Sequence, residues 1–241
     1  EKIAKNKWCK AKRAIRWLRL APYAEAVFAS GSLAINNTDE LSDLDVLVVV
    51  KHGRIWTARL LISALLSVLR MRRRGTDKLA PDKICLNHYI GDKSLKIPFK
   101  SIYNTQTYSN LVPIYLRNAK LIREFKKENA WVLDFVFNWN IPDRPIIKSG
   151  WLEIAAKTAE IFLNTKIGSI LENWARKLQF GRIARNPVTN QPGGRVIFND
   201  EQLEFHPRSI ETSIIKKYNE NLVKLGMSDL AIERDSGLIK S

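Results

Sequence analysis

The chain has 241 residues, of which 45% are hydrophobic and 27% charged, and this is the composition of a folded globular protein. It excludes a disordered, collagen-like or coiled-coil chain, and the length indicates one or two domains. Lys and Arg number 40 against 24 Asp and Glu, so the net charge of +16 favours nucleic acid, a nucleoside triphosphate or an anionic membrane surface as partner.

The two cysteines, Cys9 and Cys85, lie far apart and outside any Cys-x-x-Cys or Cys/His cluster. This spacing excludes a disulfide framework, gives no signal for a zinc site and fits a reducing, cytoplasmic compartment. The longest apolar run, residues 60–69, is about half of the ~20 residues that a membrane span needs. We therefore expect no transmembrane segment.

The first half of the sequence predicts alternating strands and helices. Residues 1–20 place apolar side chains at steps of four and three among lysines and arginines, which predicts a basic amphipathic helix. Short strands are predicted at residues 26–29 and 84–90, and the run 44–50 predicts a strand that is buried on both faces. Residues 54–71 predict a helix that packs against the sheet. This order is the beginning of an α/β fold.

The second half predicts mainly helices, at residues 103–117, 120–137 and 151–185. A break in the last helix is expected near Gly168 or Gly181. A β-hairpin is predicted near residues 195–206, with one more helix after it.

These elements predict an α/β (α+β) protein with two parts. Residues 1–102 are expected to form a domain with a small mixed sheet and the N-terminal basic helix. Residues 103–241 are expected to form a helical region that contains the hairpin.

Two carboxylates stand at the entrance to the predicted buried strand. Asp43 and Asp45 are two residues apart, so both side chains point to the same face, about 7 Å apart along the backbone. Such a pair repels unless a cation lies between the acids, and oxygen ligands favour Mg²⁺ or Mn²⁺. Upstream, Gly31-Ser32 follows a strand, and a glycine there permits close approach of a phosphate to backbone N–H groups. These features indicate a site for a metal–triphosphate complex.

The run from Val27 to Val49 resembles the nucleotidyltransferase superfamily with the DNA polymerase β-like palm. The signature of that superfamily is hydrophobic–Gly–Ser, a loop, and Asp–hydrophobic–Asp, and here Gly31-Ser32 is followed after nine residues by Ser42-Asp43-Leu44-Asp45. The resemblance covers a domain of about residues 25–90. More locally, other segments are similar to uncharacterised bacterial nucleotidyltransferase-domain proteins, namely residues 53–59, 84–90 and 185–207.

The resemblance implies a metal-dependent transfer of a nucleoside monophosphate from a nucleoside triphosphate to an acceptor, with pyrophosphate leaving. Asp43 and Asp45 are the implied catalytic and metal-binding residues. Gly31 and Ser32 are implied to bind the β- and γ-phosphates. Ser42 is assigned to the nucleotide-binding set, with a turn or cap as its alternative role.

In the superfamily a third carboxylate comes from a later strand. The corresponding strand here offers Cys85, Asn87 and Tyr89 on one face, and none of them is acidic. Asn87 is the candidate for this third position, although an amide carries no charge and cannot deprotonate an acceptor.

Three functions stay open for this sequence. The first is an enzyme, and the second is a catalytically weakened nucleotidyltransferase fold that binds nucleotide or RNA. The third is a peripheral membrane protein, because the basic N-terminal helix and residues 151–178 could lie on anionic lipid. The arginines of residues 70–74 are either a phosphate-binding cluster or a solvated charge run. The sequence does not name the base, the acceptor or the oligomeric state.

Overall fold

The computed structural model describes residues 1–75, 77, 79–148 and 150–234, and in these ranges helices and strands alternate along the chain. The helices are α1 (Lys2–Leu18), α2 (Gly31–Ala34), α3 (Ile55–Val68), α4 (Ile102–Ser109), α5 (Lys120–Glu128), α6 (Trp151–Leu163), α7 (Lys166–Ala184) and α8 (Glu211–Lys224), with short 3₁₀ turns at Ala130–Asp134, Pro187–Asn190 and Ser228–Leu230. The strands are β1 (Ala24–Ala29), β2 (Leu44–Val50), β3 (Ile84–Gly91), β4 (Val112–Leu116), β5 (Arg195–Phe198) and β6 (Gln202–His206).

All six strands form one mixed sheet in the order β4-β1-β2-β3-β6-β5. Only β2 and β3 are parallel among these neighbours, and the connection between them runs through α3. This architecture is the expected α/β (α+β) class with a small mixed sheet. The sheet contains strands from both sides of residue 102. The division into residues 1–102 and 103–241 stays a prediction.

The sheet is covered on both faces, which makes β2 a central strand. On one face Val46, Val48 and Val50 pack in a core with apolar residues of α1, α3 and α7. On the other face Leu47 and Val49 pack in a second core with residues of α4 and α5. Burial on both faces explains why the strand consists almost wholly of β-branched and aliphatic residues.

Two helix predictions in the second half, at residues 103–117 and 120–137, are wrong. The second of them ends at Glu128, and a 3₁₀ turn at Ala130–Asp134 follows. The predicted helix at 103–117 ends at Ser109, and β4 (Val112–Leu116) follows and pairs with β1. The apolar residues of β4 pack in the cores on both faces of the sheet. The spacing of apolar residues in the sequence alone does not indicate this packing. The expected break in the long helix at 151–185 lies at Asn164-Thr165, close to Gly168. Gly168 lies inside α7, where a Cβ would overlap the Leu163 carbonyl, so this glycine permits close packing of the two helices.

A buried lysine connects α1 to the loop before β2. Lys7 is 2% exposed, although it lies among the lysines that the amphipathic pattern assigns to solvent. Its Nζ donates to the Ser42 carbonyl at 2.6 Å and to Asp82 Oδ1 at 3.1 Å. Lys10 Nζ donates to Asp82 Oδ2 at 2.5 Å. The N-terminal helix therefore fixes both the loop that leads into β2 and the turn that leads into β3.

Replacing Lys7 by Met is expected to destabilise the fold, because the Ser42 carbonyl and the Asp82 carboxylate lose a charged donor. We expect the free energy of unfolding to fall by about 2 kcal/mol, the usual range for a hydrogen bond to a charged group. Urea denaturation measures this, with Lys5→Met as the matched control on the exposed side of the same helix. Equal denaturation midpoints for the two variants would show that the Lys7 contacts contribute nothing.

Candidate functional site

The side chains of Asp43, Asp45 and Cys85 converge where β2 and β3 begin. One ligand atom from each, a carboxylate oxygen or the thiol sulfur, lies within 4.8 Å of the others. Asp45 and Cys85 are register partners in the parallel pair β2–β3, which explains why two residues distant in sequence are neighbours here. Among the described residues this is the one group of three or more acidic, histidine or cysteine side chains that is close enough to hold a metal ion.

Gly31 lies directly against the Asp45 carboxylate. Its φ is +59°, and a Cβ built on it would lie 2.9 Å from Asp45 Oδ2. The Ser30 backbone N–H also donates to the Asp45 carbonyl at 3.1 Å. A side chain at position 31 would be strained by the backbone conformation and would collide with the carboxylate. Only glycine therefore lets the end of β1 approach the acidic end of β2 this closely.

Burial and charge repulsion perturb the Asp45 carboxyl. Its pKa rises from 3.8 to about 6, first because burial penalises the charged form and second because Asp43 is close by. Hydrogen bonds from Cys85 and Asn87 partly oppose this rise. Burial and the two acids also raise the pKa of the Cys85 thiol far above its usual value, so Cys85 is a protonated thiol at neutral pH.

Arg73 compensates the charge of Asp43. Its guanidinium donates to Asp43 Oδ2 in a short salt bridge, and it also lies 4.0 Å from Cys85 Sγ. The backbone N–H of Arg73 donates to the Ile84 carbonyl at 2.9 Å, which holds this arginine beside β3. Of the two roles considered for the arginines of residues 70–74, solvation is therefore wrong for Arg73. A cation already occupies one side of the carboxylate pair.

Asn87 lies at the site, but an irregularity of β3 that the sequence does not reveal places it there. Its Nδ2 donates to Asp45 Oδ1 at 2.8 Å. The register of β2 with β3 shifts between Asp45 and Leu47, so that Leu47 faces His88. The irregularity breaks the alternation of β3, and the expectation that Tyr89 shares a face with Cys85 and Asn87 is wrong. Tyr89 instead packs in the core on the opposite side, with Val46 and Val48.

Ser42 and Ser32 have different surroundings. The Ser42 hydroxyl donates to Asp39 Oδ1 at 2.8 Å and accepts from the Asp39 backbone N–H at 3.1 Å. Ser42 thereby closes the turn before Asp43, which is the turn or cap role considered from the sequence. Ser32 follows Gly31 in the single turn of α2 and is partly exposed. The nucleotide-binding roles of both serines stay predictions.

A cavity of about 160 Å³ opens beside Asp45. Gly31, Asp45 and Asn87 line one side, and Tyr103 of α4, Arg195 of β5 and His206 of β6 are among the residues on the other. The sequence analysis assigned none of the last three to the site, because they come from segments far from the motif. The signal available was a charged or polar residue at each of positions 195, 204 and 206 in strands that are otherwise largely apolar.

A network of buried polar groups supports this wall of the cavity. Arg195 donates to Glu204 at 2.7 Å, to Glu211 at 2.8 Å and to Asn104 at 3.1 Å. Glu204 is 1% exposed and lies opposite His88 in the β3–β6 ladder. Burial lowers the pKa of His88 to about 4, so this histidine is neutral at physiological pH. The hairpin is thus held to β3 by backbone pairing, and to α4 and α8 by the side-chain contacts of Arg195.

The sequence model of the nucleotidyltransferase domain family matches residues 9–156, which is more than half of the chain. The chain therefore belongs to this family. No curated protein and no solved structure matches it. The matched range includes Gly31, Asp43, Asp45 and Asn87, whereas the hairpin residues Arg195 and His206 lie outside it. The similarity to uncharacterised bacterial members stays a prediction.

Asp45→Asn is expected to stabilise the metal-free protein at alkaline pH. Because the folded-state pKa of about 6 lies above the ordinary 3.8, Asp45 favours the fold when protonated. That contribution is complete below about pH 4 and is lost as the pH rises through about 6. At about pH 8, with a chelator present, Asp45→Asn should raise the free energy of unfolding by about 3 kcal/mol, the equivalent of a rise of about two pKa units. At about pH 4 the variant and the wild type should be equal.

Urea denaturation at the two pH values tests this expectation. A variant that is less stable than the wild type at about pH 8 would show that the ionised Asp45 carboxylate stabilises the fold, and would contradict it.

Proposed function

We propose that this protein is a Mg²⁺- or Mn²⁺-dependent nucleotidyltransferase that transfers a nucleoside monophosphate from a nucleoside triphosphate to an acceptor. The observation that carries the proposal is the convergence of the Asp43 and Asp45 carboxylates against Gly31, inside a nucleotidyltransferase domain. The domain family supports nucleotidyl transfer in general, and the metal, the nucleotide and the site residues are parts of the proposal.

The donor set fits a hard divalent cation. Asp43 and Asp45 offer carboxylate oxygens, which are the ligands that Mg²⁺ and Mn²⁺ prefer. The Cys85 thiol stays protonated and is therefore a poor ligand for such an ion. Arg73 already bonds Asp43, so a metal ion bound to this carboxylate would have to displace that salt bridge. When bound, the metal would neutralise the triphosphate and lower the pKa of an acceptor hydroxyl.

The residues of the chain would bind and orient the reactants. Gly31 and Ser32 would place backbone N–H groups and a hydroxyl near the β- and γ-phosphates, since no side chain at position 31 blocks the approach. Asn87 holds Asp45 by one oxygen, Oδ1, and leaves Oδ2 on the side of Gly31. Ser42 would act by fixing the turn before Asp43.

In the proposed reaction the oxygen of an acceptor hydroxyl attacks the α-phosphorus of the triphosphate. The bond between the α-phosphorus and its bridging oxygen breaks, and pyrophosphate leaves with the electron pair. The hydroxyl proton passes to solvent or to a base in the cavity. The cavity beside Asp45, lined partly by Tyr103 and His206, is the space that we assign to the acceptor.

The net charge of the chain gives only a broad indication of the class of acceptor. The net charge of +16 supports RNA or another polyanion as a partner, in addition to the nucleotide. Cys9 and Cys85 are both free thiols, which supports a reducing, cytoplasmic location. None of the helices in the described ranges is long and apolar enough to cross a bilayer.

Nucleoside triphosphate with Mg²⁺ or Mn²⁺ is expected to stabilise the protein, because the ligand would bind only the folded site. At a ligand concentration a hundredfold above the dissociation constant, the gain is roughly 2.7 kcal/mol. Thermal melting with each of the four ribonucleotides measures this gain. Asp45→Ala should abolish the metal-dependent part, whereas Asp134→Ala, a control at an exposed acid outside the site, should keep it. Unchanged melting of the wild type with every nucleotide and both metals would contradict the proposal.

A catalytically weakened binding module is the second candidate function. Two observations favour it, namely the amide of Asn87 where the family has an acid and the salt bridge that ties Asp43 to Arg73. A missing carboxylate would leave one metal position weak and the acceptor without a base. The two functions share nucleotide binding and differ in turnover.

Asn87→Asp is expected to separate these two functions. A third carboxylate beside Asp45 would add charge to the site, so the variant should bind a second Mn²⁺ that the wild type binds poorly. Electron paramagnetic resonance titration of Mn²⁺ in the presence of nucleotide counts the bound ions. Pyrophosphate release should be slow or dependent on Mn²⁺ in the wild type and faster in Asn87→Asp. Robust Mg²⁺-dependent release by the wild type that Asn87→Asp damages would show that another residue completes the site.

A further inference from the structure

Helices α6 and α7 expose a set of large apolar side chains that neither core uses. Eight of them are between 46% and 72% exposed, and together they define the α6–α7 apolar face: Trp151, Ile154, Ile161, Phe162, Ile167, Ile170, Trp174 and Leu178. Scattered apolar residues on a surface need no explanation, but eight on two consecutive helices indicate an interaction surface.

This face is not an incompletely packed part of the core. The opposite side of α6 buries Leu152 and Ala156, and α7 buries Ala175 and Ile183. Gln179 of α7 donates to the Trp56 carbonyl of α3 at 2.8 Å, which fixes the helix against the sheet layer. Each helix therefore packs one side on the protein and exposes a second, apolar side to solvent.

The charges on the two helices are segregated. Their three acids point toward the protein: Glu153 is 5% exposed, Glu160 accepts from the Tyr23 N–H at 2.7 Å, and Glu172 accepts from the Trp56 and Thr57 N–H groups at 3.0 and 2.9 Å. The exposed charged residues of α6 and α7 are all basic, as are those of the segment directly after α7: Lys157, Lys166, Lys177, Arg182 and Arg185.

The end of α1 adds further positive charge beside α6. Arg19 Nη1 donates to the Lys148 carbonyl at 2.5 Å, so the C-terminal turn of α1 lies next to the start of α6. Arg13 and Arg16 of α1 are exposed there, together with Trp17. The apolar face is therefore accompanied by basic side chains along both helices and at one end.

Apolar side chains with only basic exposed neighbours fit one kind of partner best. A second copy of the chain would bring two positively charged surfaces together, and RNA offers no apolar surface for Ile154, Ile161 or Ile170. The headgroup region of an anionic bilayer offers both acyl chains and negative charge, and tryptophan is enriched at such interfaces. We propose that the α6–α7 apolar face docks this protein on the surface of a membrane that contains anionic phospholipid.

The proposal does not depend on the proposed nucleotidyl transfer. The face lies on the helices that cover the core of α1 and α3, whereas Tyr103 and His206 line the cavity beside Asp45 from α4 and β6. A membrane-bound molecule would keep its sheet and its acidic pair as described.

Flotation of the whole chain with extruded vesicles tests the proposal. One set of vesicles is phosphatidylcholine alone, and the other contains about a third of phosphatidylglycerol. We expect binding to the anionic vesicles to exceed binding to the neutral ones by at least about tenfold. Ile170→Ser/Trp174→Ser should lower binding to anionic vesicles by about tenfold or more, because the affinity for the membrane scales with the apolar area inserted into it.

A matched control is available in Leu133→Ser/Phe137→Ser, which removes two exposed apolar side chains from another surface and should bind like the wild type. Lys177→Glu/Arg182→Glu should lose the preference for anionic vesicles. Circular dichroism checks that each variant folds. If Ile170→Ser/Trp174→Ser does not fold, Trp151→Ser/Ile154→Ser on α6 is measured in its place.

Several results would overturn the proposal. One is a wild type that floats with neither vesicle, and another is an apolar-face variant that floats as well as the wild type. A dimer in light scattering that the same variant dissociates, without vesicle binding, would assign the face to a second copy. Binding to poly(U) that the apolar-face variant loses, without vesicle binding, would assign it to RNA.

Discussion

The contact between Gly31 and the Asp45 carboxylate is the constraint on which the site depends. A Cβ at position 31 would lie 2.9 Å from Asp45 Oδ2, so the end of β1 and the acidic end of β2 approach each other only because residue 31 is glycine. The same contact places the start of α2 next to Asp45. The glycine that the sequence assigns to a phosphate therefore also makes room for the carboxylate.

Holding two acids here is unfavourable for the fold, and neighbouring residues compensate for it. Burial and Asp43 raise the pKa of Asp45 to about 6, while Arg73 bonds Asp43 and Asn87 bonds Asp45. Lys7 fixes the loop that carries Asp43. Carboxyl groups with a perturbed pKa cluster at ligand-binding sites, and the cation proposed for this site would replace part of the compensation.

The sequence predicted the parts whose signal is local. The buried strand β2 and the paired acids depend on short patterns, and the hairpin at residues 195–206 was also anticipated. The prediction failed where packing between distant segments decides. The segment of β4 was predicted to be helical, because its place in the sheet is decided by its pairing with the distant strand β1. The register shift in β3 moves Tyr89 to the other face of the sheet. Arg73 at Asp43 and the wall of Arg195 and His206 depend on tertiary contacts in the same way.

The most direct measurement is a crystal structure of the protein with Mn²⁺ and a nucleoside triphosphate analogue that cannot transfer its α-phosphate. Anomalous scattering locates Mn²⁺ independently of the protein. We predict a peak bound by the carboxylates of Asp43 and Asp45, with the triphosphate beside Gly31 and the Arg73 guanidinium displaced from Asp43. Nucleotide bound elsewhere, or an intact Arg73–Asp43 salt bridge without Mn²⁺ at the pair, would contradict the assignment of this site.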